Sequence, residues 1–288
     1  MKKLTKTIIV AALAASQIAS AATFNNGAGD NLWETPGNWV GGVLPTSSDG
    51  VDISSNVTLS SSATTANTLI RSFEFTLDSG AVYTTGNSNV GQANSNGIVT
   101  INTGASYTIN TTASMNLAVG NTVNGSGTLN LNGGTISLGG SLQGVGGSGA
   151  TRAESFVNFN AGTGSFRNFS FSDADLTNVV FNWALSGTST VANISVTSAS
   201  FVNNLAKVDT FNFGANTLVN GDVVTLVSGV AGTTYSNLAG IAVTGIASGG
   251  VISQVGNDLV LTVIPEPSSL MLLTGGLLSL AFYRRRKA

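Results

Sequence analysis

From residue 22 to residue 263 the apolar and polar positions alternate in short bursts, and no segment sustains helical spacing. Val51-Asp52-Ile53, Val57-Thr58-Leu59, Phe73-Glu74-Phe75-Thr76-Leu77, Val99-Thr100-Ile101, Leu129-Asn130-Leu131, Ile136-Ser137-Leu138 and Val157-Asn158-Phe159 each place apolar side chains on one side of a strand and polar ones on the other. Gly, Asn and Ser clusters separate the bursts, which is the chemistry of turns. The bursts also repeat. Residues 97–105 (GIVTINTGA) align with 127–135 (GTLNLNGGT) thirty residues on, and with 155–163 (SFVNFNAGT) twenty-eight further. Val90-Gly91 and Val119-Gly120 precede the first two units, and residues 209–217 (DTFNFGANT) are a looser later copy.

A period of this length belongs to solenoids, in which each rung buries one face and stacks on its neighbours. The expected fold is all-β: a parallel β-solenoid, read as a right-handed β-helix. A β-sandwich is the alternative from Phe166 to Val263, where the repeat fades. Asn suits tight corners because it tolerates left-handed φ, and stacked Asn and Thr can form ladders along the axis. A solenoid end exposes strand edges and needs a cover. Trp33 and Trp39, with Pro45 and the Asp49 to Ile53 stretch, supply material for an N-terminal cap. The functional alternative for the two rings is stacking on sugars, and packing is the preferred reading.

Composition changes the picture in two ways. Only 8% of the chain is charged, against ~25% in ordinary domains, and it has no Cys and no His. Disulfides, Ser-His-Asp and Cys-His catalysis and His-ligated zinc are therefore excluded. Seven of the eleven basic residues lie in the two terminal segments, which leaves the middle with Arg71, Arg152, Arg167 and Lys207 against twelve carboxylates, a net of −8. That balance argues against a nucleic-acid partner.

The termini read as addresses. Lys2, Lys3 and Lys6 precede an apolar run that ends in Ala19-Ser20-Ala21. A basic start, an apolar stretch and an A-x-A site make a secretory signal over residues 1–21, cut by signal peptidase after Ala21. At the other end, Pro265-Glu266-Pro267 precedes sixteen uncharged residues (268–283) and then Arg284-Arg285-Arg286-Lys287. As a helix the sixteen residues span ~24 Å, a little short of a bilayer core. The four cations would hold the cytoplasmic side and leave the domain outside.

The tail resembles the PEP-CTERM sorting domain in three features taken in order: the Pro265-Glu266-Pro267 motif, a short hydrophobic helix and an arginine-rich end. The resemblance implies recognition by an exosortase-type transpeptidase, cutting near the motif, and passage to the cell surface or a polysaccharide matrix. By this reading the helix is a transient membrane anchor. The rungs themselves resemble the β-strand repeats of autotransporter-like passenger regions. The expected organisation is signal 1–21, capped solenoid 22–164, β-rich continuation 165–263 and sorting tail 264–288.

Candidate chemistry is sparse. Asp173 and Asp175 would share a strand face, and Asp30, Asp49 and Asp52 are the other near-pairs. Facing carboxylates could hydrolyse glycosides or bind calcium. Gly146-Gly147-Ser148-Gly149 has the glycines of a calcium repeat without its Asp, and no phosphate-loop motif occurs. The expectation is a structural or adhesive surface protein with no cofactor and no enzymatic activity, with extracellular polysaccharide as a candidate partner. The alternatives are a β-helix polysaccharide hydrolase or lyase, and a carbohydrate-binding module using Trp33 and Trp39.

Overall fold

The computed structural model describes residues 21–91, 95–110, 112–120, 125–146, 154–171 and 179–264. Apart from one 3-10 turn at Pro36–Asn38, its named elements are strands. Most of them stack in parallel as three faces of a β-solenoid of about seven turns. The first face begins with Ala21–Phe24, Gly50–Ile53, Asn67–Ile70, Asn87–Val90 and Met115–Gly120. The second runs from Val57–Leu59 through Glu74–Leu77 and Asn96–Asn102 to Val179–Trp183, Val208–Phe213 and Ala242–Thr244. The third runs from Ser62–Thr64 through Val82–Thr85 and Ser106–Ile109 to Ala192–Val196. Two long strands, Ser126–Gly146 and Ser155–Ser170, wrap around all three faces and pair with each other along most of their length.

The repeat read from the sequence is the stacking register. Leu129 lies against Val99 and Leu131 against Ile101; in the next turn Leu129 meets Val157 and Leu131 meets Phe159. Phe211 sits two turns beyond Val157, with Phe181 between them. The intervening strand Val179–Trp183 escaped the repeat because the chain advances only from Phe159 to Trp183 in that turn, shorter than its neighbours. The lead-in aligned on Val90 and Val119 is corrected: Val90 pairs with Leu117.

Inward positions fill a continuous core, since alternate residues on every face point to the axis. The middle turns are aliphatic, with Val99, Ile101, Leu129, Leu131 and Ile136 fully buried. Aromatic stacks lie on either side. Trp33, Phe75, Tyr83 and Tyr107 form one, and Phe159, Phe181, Trp183 and Phe211 the other, where Phe181 and Phe211 stack with centroids 5.3 Å apart. Tyr83 Oη and the Thr65 hydroxyl hydrogen-bond at 2.8 Å, and Tyr107 Oη and Ser88 Oγ at 2.9 Å, so the buried hydroxyls satisfy one another. Burial pushes the Tyr83 phenol up to about 12 and raises that of Tyr107 as well.

The corners differ from expectation. Gly80, Gly104, Gly133 and Gly162, each at positive φ, turn the chain from the second face to the third. A Cβ on Gly162 would stand 2.2 Å from Gly134 O, so no side chain fits there. Among the described residues only Asn26, Asn31 and Asn237 are non-glycine positions at positive φ. The stacked asparagines lie on the strands instead.

Among the described residues parallel stacking continues beyond Phe166, interrupted by the antiparallel hairpin of Leu185–Ser186 and Ser189–Thr190, and no sandwich forms. The departure comes at the end, where Asp258–Val263 pairs antiparallel with Val223–Gly229 on one side and Gly250–Val255 on the other. Gln254 closes the last turn. Its Oε1 accepts from Tyr235 N and its Nε2 donates to Thr233 O, so a side-chain amide replaces the missing next strand.

Candidate polar faces and sorting tail

The second face carries a polar row on its outer side: Thr58, Thr76, Thr100, Asn130, Asn158, Asn182, Asn212 and Thr244, one per turn. Each asparagine donates toward the N-terminal end. Asn158 Nδ2 donates to Asn130 Oδ1 at 2.6 Å, Asn182 to Asn158 at 2.6 Å and Asn212 to Asn182 at 2.9 Å. Asn130 Nδ2 donates to Thr100 Oγ1, and Thr100 donates to the Glu74 carboxylate. At the other end the Thr244 hydroxyl donates to Asn212 Oδ1. The amide dipoles therefore align head to tail with their positive ends toward Glu74, and the carboxylate lies where a negative charge is favoured. A shorter ladder, Asn89, Asn116 and Gln143, runs on the first face.

The third face is built differently. Thr64, Thr84, Thr108, Ser137, Ser165 and Ser195 follow one another along one outward row, and the row continues to Ser228. A second row holds Ser62, Val82, Ser106, Thr135, Thr163 and Asn193. Neither row contains a charge. Apart from Ser195 Oγ, which donates to Gly164 O, none of these side chains hydrogen-bonds within the described residues. The sequence reading missed these rows because its repeat followed the second face. The signal was present: a hydroxyl residue follows each corner glycine by three or four positions, as Thr84 follows Gly80 and Thr108 follows Gly104.

Trp33 and Trp39 are 3% and 2% exposed and meet edge to face at 4.6 Å. Trp39 Nε1 donates to Trp33 O, Phe24 packs on Trp39, and Phe75 stacks on Trp33. Both rings lie inside the N-terminal end of the core, so neither offers a face to a sugar. Asp30 organises the loop above them. It accepts from Leu32 N, Thr35 and Asn38, and these bonds hold its carboxyl below the usual range. Asp49 closes a turn by accepting from Thr46 N and Thr46 Oγ1, which lowers its pKa likewise. Asp52 pairs with Arg71 at 3.0 Å. These three near-pair carboxylates are thus brought to three separate structural contacts. Among the described residues no three His, Cys, Asp or Glu side chains gather as a metal site. Asp173 and Asp175 lie outside the described residues.

Of the expected signal site, Ala21 is the first residue of Ala21–Phe24 and Ala19 lies outside the described residues. Cutting after Ala21 would remove one residue from that strand. The sorting residues Pro265, Glu266, Pro267, Arg284, Arg285, Arg286 and Lys287 also lie outside the described residues. The last described residues are held: Val263 is buried, its N–H donates to Asp222 O and its carbonyl accepts from Gly221 N. Among the described residues no helix is long and apolar enough to cross a membrane.

The fold defines a repeat-built passenger region, and the tail beyond it is a sorting signal. The PEP-CTERM protein-sorting motif matches residues 263–287. The match implies an exported protein processed by an exosortase. No curated protein and no solved structure matches the chain.

Proposed function

We propose that the chain is a non-enzymatic structural or adhesive protein of the cell surface or extracellular matrix. In this reading the signal peptide is removed after Ala21, the tail anchors the chain in the inner membrane until an exosortase cuts near Pro265-Glu266-Pro267, and the solenoid is the mature product. The observation that carries it is the set of uncharged polar rows running the length of the solenoid, joined to a sorting tail that begins at its last strand. Such faces meet hydroxyl-rich polymers without needing charge. Asp30, Asp49 and Asp52 are each committed to structural contacts, which fits this reading for those three carboxylates.

The test is intact-mass measurement combined with fractionation of envelope, matrix and medium. The expected product lacks residues 1–21 and the residues beyond the motif, and stays with surface or matrix. Release of sugar from matrix polysaccharide by the purified wild type would overturn the non-enzymatic reading. A product found only in the cytoplasm with both ends intact would overturn all of it.

A further inference from the structure

The second and third faces both carry outward polar rows, but their hydrogen-bonding states differ. On the second face the asparagine amides bond to one another from turn to turn, and the ladder is closed at both ends. On the third face the hydroxyls point outward and, apart from Ser195, make no hydrogen bond within the described residues. Self-bonded groups stabilise the stack, whereas uncommitted ones are exchangeable with a ligand at the cost of displaced water.

The third face is also continuous with a cleft. Strand Ala192–Val196 pairs with Ser155–Ser170 along its whole length, but meets Val223–Gly229 only at Ser195 and Val196. The next strand swings away because Val223 to Val227 pair antiparallel with Asp258–Val263. Beside the hairpin of Leu185–Ser186 and Ser189–Thr190, the gap is a cleft of about 330 Å³ lined by polar residues including Ser189, Asn193, Thr225 and Ser228 and by the apolar Ala192 and Val223. Asn193 and Ser228 belong to the two outward rows, so the array runs directly into the cleft.

From this we infer that the third face and its terminal cleft form a binding site for one strand of a neutral, linear polysaccharide. The inference rests on the surface or matrix reading given above. Three features select this ligand. The rows hold hydroxyls and one amide but no charge, within a domain that is acidic; the neighbouring cation Arg167, two residues along the strand from Ser165, has its guanidinium over the Phe201 ring, so the rows offer a polyanion no array of charges. Adjacent turns are ~4.8 Å apart and the two rows ~6.7 Å apart, which presents a flat lattice. The turn spacing is close to the rise of one pyranose in an extended chain, so the row from Thr64 to Ser228 would engage about six sugars over ~29 Å. The one break is Val82, 43% exposed in the second row.

The test is retention of the protein, purified as its cells release it, on amylose, cellulose and a β-1,3-glucan, with alginate as the anionic comparison. Wild type should bind at least one neutral glucan, more tightly as oligosaccharide length grows to about six units. Replacing Thr64, Thr84 and Thr108 by Val, which keeps the β-branched shape, should weaken binding about tenfold or more while far-UV circular dichroism is unchanged. Thr58→Val with Thr76→Val, on the second face, should leave it intact. Val82→Thr should tighten binding, a gain that misfolding cannot mimic. Retention on no neutral glucan, equal retention on alginate, or unchanged binding by the third-face variant would each overturn the inference. Matrix fractionation of the same protein tests the broader reading separately.

Discussion

Replacing Asn158 by Ala measures how much the ladder of the second face contributes. Asn158 donates to Asn130 and accepts from Asn182, both at 2.6 Å. Each such bond is worth ~0.5–1.5 kcal/mol net, so the substitution removes about 1–3 kcal/mol. The side chain is half-buried, so water can re-bond the orphaned Asn130 oxygen and Asn182 amide, which places the expected loss at about 1–2 kcal/mol. Ser137→Ala on the third face is the matched control. Ser137 is also half-buried on a strand, but makes no side-chain hydrogen bond among the described residues. Asn is a poorer strand former than Ala, so the propensity change favours Asn158→Ala and works against the expected loss, which is then assigned to the ladder. Urea unfolding followed by circular dichroism reads it. For an m-value of about 3 kcal/mol/M, Asn158→Ala should lower the midpoint by about 0.5 M, while Ser137→Ala stays within the ~0.5 kcal/mol of ordinary surface changes. Equal shifts for the two variants would refute the distinction between a self-bonded face and a free one.

Three further outcomes follow from the core, the corners and the cap. Tyr83 is a buried acid whose pKa rises from about 10 in the unfolded chain to about 12 in the fold, so its contribution is complete below pH 10 and is lost as pH rises through 12. About 2–3 kcal/mol is at stake, and unfolding midpoints measured from pH 8 to 11.5 should fall only above pH 10; a flat profile would remove the linkage. Gly162→Ala forces a side chain into positive φ and against Gly134 O, and should cost more than about 2 kcal/mol by thermal or urea unfolding, whereas Gly29→Ala, with open space around it, should cost less. Trp39→Ala should cost about 3–5 kcal/mol, and wild-type tryptophan emission should resist iodide quenching because all three rings are enclosed.

The sequence by itself determined the solenoid, its register through the middle turns and the sorting tail. Side chains in a strand alternate strictly, so a repeated alternation such as that of Val99, Leu129 and Val157 admits one pairing register if the apolar set is to face the axis. The tail is legible because its information is linear: a motif, an apolar run and a charge cluster in order. Only the tertiary structure decided what the polar residues do. Asn158 and Ser137 look alike in the string, each polar between two apolar residues, yet one bonds to the turns above and below and the other faces solvent uncommitted. That division depends on which residues from turns about thirty positions apart come to lie side by side, and on side-chain reach. The amides of stacked asparagines reach one another across the gap between strands, whereas the short hydroxyl of Ser137 does not reach those of Thr108 and Ser165 beside it.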